Sequence, residues 1–85
     1  MAGDTVAEQT EQVMKNIGQV LEAAGVSYGA IVKATVLLAD MSYFQAVNEV
    51  YAKYFPDDPP ARSCFAVSGL PLGALVEIEV IATLD

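Results

Sequence analysis

The stretch Ile31-Val32-Lys33-Ala34-Thr35-Val36-Leu37-Leu38-Ala39 constrains the fold more than any other part of this chain. It is rich in β-branched residues, nearly all apolar, and interrupted only by Lys33. Such a run reads as a strand covered on both faces. A chain of 85 residues has little material to supply both covers. Domains of this size bury only about 60–65% of their unfolded surface. With a hydrophobic share of 54%, part of the apolar surface is therefore expected to be covered by another chain.

The flanking segments supply the other elements. From Asp4 to Ala24, the residues Val6, Val13, Met14, Ile17, Val20, Leu21 and Ala24 fall on one stripe at helical spacing. Thr5 and Glu8 have the spacing of a capping box, and Gly25 stands where a left-handed C-terminal residue belongs. Glu11 and Lys15 share the exposed face in the favourable i, i+4 order. Gly18, inside the helix, either weakens it or permits a close packing contact. After the strand, Ser42 and Gln45 suggest a second capping box that opens a helix from Tyr43 to about Tyr54. Its expected buried stripe is Phe44, Val47, Val50, Tyr51 and Tyr54. Pro56, Pro59 and Pro60, with Asp57 and Asp58 between them, stop this helix.

Two strands close the chain, Ala61 to Val67 and Leu75 to Thr83. In the second, Val76, Ile78, Val80 and Ala82 share one face and Glu77 and Glu79 the other. Ser68-Gly69-Leu70-Pro71-Leu72-Gly73 is expected to join them as an irregular hairpin loop. The order is helix, strand, helix, strand, strand. With a crossover between the first two strands, it predicts an α/β (α+β) two-layer sandwich in one domain over residues 1–85.

Eleven acidic residues against four basic ones give a net charge of −7. That balance argues against nucleic acid and against anionic membrane surfaces as partners. Without histidine, imidazole catalysis is excluded. One cysteine forbids an intrachain disulfide, and no Cys/His cluster offers itself to zinc. Neither a long apolar run nor a signal peptide is visible, so a soluble, reduced-compartment protein is expected.

Few residues remain that carry chemistry. Arg62, the only arginine, follows the Pro59-Pro60 loop at the start of a strand, two residues before Cys64. Its planar fork matches a carboxylate bidentately, which suits the anchoring of an acid substrate. An ordinary ion pair to one of the acidic groups is the plainer reading and, on pattern alone, the favoured one. Glu77 and Glu79 could work as general acid or base; a polar strand face that blocks aggregation is again the plainer alternative. Arg62 could lower the pKa of Cys64 toward a reactive thiolate, against a default of a buried, inert thiol. Lys33 could form a Schiff base if desolvated, but more simply reaches toward solvent from a strand end. Tyr43, Tyr51 and Tyr54 read as packing residues, and Asn48 as a candidate buried hydrogen-bonding residue.

These segments resemble a known family. Val32-Lys33-Ala34-Thr35-Val36-Leu37-Leu38-Ala39-Asp40 and Phe44-Gln45-Ala46-Val47-Asn48-Glu49-Val50-Tyr51 are similar to RidA/YjgF sequences, most of all to plant-type members. So are Pro60-Ala61-Arg62-Ser63-Cys64 and Leu70-Pro71-Leu72-Gly73 followed by Val76-Glu77-Ile78-Glu79. The resemblance implies a chorismate-mutase-like fold assembled as a homotrimer with sites between subunits. It implies hydrolysis of reactive imines and enamines, such as 2-iminobutanoate and 2-iminopropanoate, to 2-oxo acids and ammonia. No cofactor or metal is implied. Carried over by motif, Arg62 would grip the substrate carboxylate, Cys64 would line the pocket, and Glu77 would position the attacking water. The resemblance implies that family members begin with further strands bearing a tyrosine and a serine-glycine segment, and this sequence, opening just before the first long helix, is expected to be without them. A non-catalytic oligomerising or chaperone-like module of the same fold is the alternative. A cytoplasmic or organellar location, plastid or mitochondrion, is expected.

Overall fold

The computed structural model describes residues 5–56 and 59–84. A long helix, α1 (Val6–Ala23), opens the fold. The Thr5 side chain accepts the backbone N–H of Glu8 at 3.1 Å, and its hydroxyl donates to Glu8 Oε1 at 3.0 Å. This satisfies one of the free amide donors of the first turn. At the other end, Gly25 adopts φ +83. Its N–H bonds Glu22 O at 2.9 Å and that of Val26 bonds Leu21 O at 2.9 Å, the Schellman arrangement.

Strand β1 (Ile31–Leu38) follows, then α2 (Phe44–Ala52), β2 (Ala61–Ala66) and β3 (Val76–Ala82). The sheet order is β2-β1-β3, with β1 parallel to β2 and antiparallel to β3. The expected sequence of elements and the α+β two-layer arrangement are both present. The connection from β2 to β3 is not a hairpin, however. It carries the chain past β1 to the far side of the sheet, because the most apolar strand takes the centre.

The entry to α2 also differs. Asp40, not Ser42, supplies the cap: its carboxylate accepts Ser42 N–H at 2.8 Å and opens a short 3₁₀ turn, Met41–Tyr43, that runs straight into the helix. Tyr43 makes no side-chain cap bond. The helix ends at Ala52, after which Tyr54 and Phe55 hold tighter 3₁₀-type bonds.

Both helices lie on one face of the sheet. The core joins Met14 and Leu21 of α1, Val47 and Tyr51 of α2, Phe55, and Ala34, Val36, Leu38, Val76 and Ile78 of the sheet. Phe44, expected inside, is exposed. On the opposite face no layer covers β1 among the described residues, so only one side of that strand is buried. Phe65 is 56% exposed and Ile81 60% exposed there, an unusual state for large apolar side chains.

Gly18 is a close-approach glycine. The Tyr28 hydroxyl donates to Met14 O at 2.7 Å across it, and a Cβ on Gly18 would lie 2.2 Å from that hydroxyl. The Tyr28 ring is held 5.0 Å from Tyr54 and 6.2 Å from Phe55, so it has little freedom to retreat. Gly18→Ala is therefore expected to lower stability by about 1–2 kcal/mol, outweighing the better helix propensity of alanine. Urea unfolding checks this, and a stabilised alanine variant would contradict it.

Candidate functional site

The Pro59-Pro60 segment delivers the chain into β2, and Arg62 is its second residue. Arg62 pairs with Ala34, and Cys64 with Val36, both fully buried partners on the helix-covered face. Alternation therefore sends the Arg62 and Cys64 side chains to that same face. The Arg62 guanidinium reaches α2. Its Nη1 donates to Asn48 Oδ1 at 2.6 Å. Its central carbon lies 5.1 Å from the Tyr51 ring centroid and 5.4 Å from that of Phe44, both within cation–π range. Phe44, Asn48 and Tyr51 recur at i, i+4 and i+7, one face of the helix.

Arg62 stands at a cleft of about 320 Å³ lined also by Asn48, Tyr51, Phe55, Pro59 and Pro60. The Tyr51 hydroxyl is buried without a hydrogen-bond partner among the described residues. Burial pushes its pKa up, and the Arg62 charge opposes that shift. Among the described residues the one ion pair joins Lys53 to Glu11, so the plainer reading of Arg62 as part of an ion pair finds no partner there.

Cys64 is not activated. It is half-buried, and desolvation raises its thiol pKa despite the neighbouring guanidinium. The reactive thiolate that Arg62 could have favoured is therefore opposed, and the default of an inert thiol agrees, because loss of solvent outweighs one exposed cation. Lys33 is exposed, as its solvent-reaching reading required, and lacks the desolvation a Schiff-base amine needs.

Glu77 pairs with Leu37 and Glu79 with Thr35, on the face away from the helices. Glu77 is half-buried there and Glu79 exposed. Arg62 and Glu77 thus lie on opposite faces and on the two outer strands, with β1 between them. Two strand spacings separate their backbones by about 10 Å before side-chain direction is counted. One chain does not bring them together.

The Glu11 carboxylate, expected to pair with Lys15, turns instead to the residues that follow α2. It receives Lys53 Nζ at 2.5 Å and the Tyr54 hydroxyl. These bonds lower the Glu11 pKa, and the Tyr54 phenol is pushed up to about 12. This clasp ties α1 to the turn that ends α2.

A family model described as endoribonuclease L-PSP matches residues 1–84. The chain belongs to this family, the RidA/YjgF group. It is 56% identical over 81 residues to the chloroplastic Reactive Intermediate Deaminase A of Arabidopsis thaliana, covering 95% of this chain and 43% of that protein. To the 2-iminobutanoate/2-iminopropanoate deaminase of Mus musculus it is 51% identical over 77 residues, covering 91% of this chain and 57% of the relative. The chain spans about half the length of the curated relatives it matches. Among solved structures, an endoribonuclease L-PSP from Entamoeba histolytica superposes with a TM-score of 0.93 at 54% identity, covering 96% of this chain and 66% of that one. RidA from the Antarctic bacterium Psychrobacter gives 0.88 at 41% identity, covering 96% and 65%. The two-layer fold is therefore that of the family.

Proposed function

We propose that the chain, in its assembled form, hydrolyses reactive 2-imino and 2-enamino acids to 2-oxo acids and ammonia. The observation that carries this reading is the Arg62 guanidinium at the cleft, bonded to a neutral amide rather than to a carboxylate among the described residues. It is a cation available to an acid ligand. The deaminase names of relatives about half identical in sequence supply the substrate class. An imine carbon is already electrophilic, so a held carboxylate and a positioned water suffice. Water adds to the C=N carbon, the nitrogen takes protons and leaves as ammonia, and a 2-oxo acid remains. In this scheme Arg62 grips the carboxylate, Cys64 lines the pocket, and Glu77 holds the water. Nothing in the scheme calls for a cofactor or metal. An organellar location is proposed from the chloroplastic relative.

The family description also names RNA cleavage. With four basic residues, eleven acidic ones and no histidine, the chain has little to hold phosphates or move protons in that reaction. Release of ammonia from 2-iminobutanoate, generated by a threonine dehydratase, tests the deaminase reading. A rate above background that disappears in Arg62→Ala supports it. Intact assembly with no rate leaves the non-catalytic module instead.

Assembly belongs to the same proposal. Glu77 lies on the uncovered sheet face, so it can meet an Arg62 only if a second copy contributes one of them. The exposed Phe65 and Ile81 make that face apolar enough to be covered by copies of the chain. A homotrimer is the form we propose. Sedimentation equilibrium over a hundredfold concentration range is expected to show a homo-oligomer, and a folded monomer throughout would remove the shared site.

A further inference from the structure

We infer that Asn48 is a positioning residue, which presents the Nε–Nη2 edge of Arg62 to the substrate carboxylate while leaving the arginine's charge intact. This rests on reading Arg62 as the carboxylate anchor. A guanidinium on an exposed strand residue has several rotamers, and an anchor that wanders loses affinity to ordering entropy. Three neighbours on one face of α2 restrict it. The Asn48 amide oxygen takes a hydrogen from Nη1 at 2.6 Å. The rings of Phe44 and Tyr51 lie 5.4 and 5.1 Å from the guanidinium carbon.

All three neighbours are neutral, and that matters. An aspartate or glutamate at position 48 would hold the arginine by a stronger, charge-assisted bond. It would also cancel the charge that attracts the ligand and set a second carboxylate beside it. In a chain with a net charge of −7, an amide orients the cation without adding to that repulsion. The bond also selects an edge. With Nη1 engaged, the Nε and Nη2 hydrogens remain as two parallel donors, the geometry that matches two carboxylate oxygens. Asn48 is half-buried at the helix surface and contributes nothing to the buried core cluster. Its substitution is thus expected to spare the fold.

The test compares Asn48→Ala, Asn48→Asp and Arg62→Ala in the assembled protein. It measures kcat and KM for enzymatically generated 2-iminobutanoate, and titrates the product 2-oxobutanoate calorimetrically. Melting curves confirm folding. Asn48→Ala is expected to raise KM and weaken product binding about tenfold, with a smaller change in kcat. Asn48→Asp, although nearly isosteric, is expected to bind more weakly still, because its charge neutralises Arg62. A purely structural role for Asn48 would lower the active fraction, and hence kcat, and leave KM in place. Wild-type binding in the alanine variant, or wild-type or tighter binding in the aspartate variant, overturns the inference. If Arg62→Ala abolishes binding while both Asn48 variants retain it, only the positioning role falls. If Arg62→Ala itself binds as the wild type does, the anchor reading fails first.

Discussion

Arg62→Lys is expected to lose most deaminase activity while unfolding at the same denaturant concentration as the wild type. The side chain is exposed and belongs to no buried cluster, so the fold has little stake in its shape. The proposed ligand has a large one. Lysine keeps the charge but offers a point donor on a flexible stem, without the planar fork that can bond Asn48 through one nitrogen and a carboxylate through two others. It also stacks less well on Tyr51 and Phe44. Losing a hydrogen bond to a charged group costs about 1.5–3 kcal/mol, which corresponds to a loss of roughly ten- to hundredfold in kcat/KM. The fall is expected chiefly in KM, since the carboxylate is bound alike before and during reaction. Wild-type kinetics in the lysine variant would refute the anchor. An equally large fall in stability would return Arg62 to a structural role.

The elements were legible in the sequence because each rests on local chemistry. The stripe containing Met14 and Leu21 runs out just before Gly25, and α1 ends at Ala23 with Gly25 closing it in a left-handed conformation. The alternation of Val76 and Ile78 against Glu77 and Glu79 is the burial pattern of β3. What local chemistry left open was which strands become neighbours. The loop from Ser68 to Gly73 contains turn residues suited to a hairpin, yet β3 pairs with β1 through a register that only the assembled sheet defines. The Ser42 and Gln45 spacing was equally ambiguous. Asp40 stands earlier in the chain and captures the Ser42 amide first, so the 3₁₀ turn preempts the box.

Polar residues inside the core were the least visible. Gln9 is 5% exposed because its Oε1 receives Leu75 N–H at 2.9 Å, a partner 66 positions away. No pattern within α1 announces such a bond. The site shows the same division. Arg62 was identifiable from its isolation and its place after two prolines, but its bond to Asn48 spans the crossover. The i, i+4, i+7 spacing of Phe44, Asn48 and Tyr51 was the available signal, and it is equally the signature of an ordinary packing face. That Arg62 and Glu77 lie on opposite faces follows from pairing each with β1, and pairing is the part that sequence leaves unspecified.

Glu77→Gln is expected to lower kcat by about 100-fold or more, and Glu79→Gln by much less. The two glutamates share a strand, a face and a charge, so the comparison isolates position. Glu79 stands beside Thr35 in the sheet and is exposed, where a carboxylate is well solvated and its loss affects little. Glu77 stands beside Leu37, whose other neighbour is Phe65, and is half-buried in an apolar row of the uncovered face. A second chain packed on that row would remove water from Glu77 before it reached Glu79. Glutamine preserves the volume and one acceptor oxygen, but it cannot take a proton from the attacking water. The deficit is therefore expected in kcat, with KM held by the unaltered arginine. Single-turnover measurement of ammonia release separates the chemical step from product loss. Equal losses in the two variants would reduce both residues to a polar strand face, and the water would need another holder.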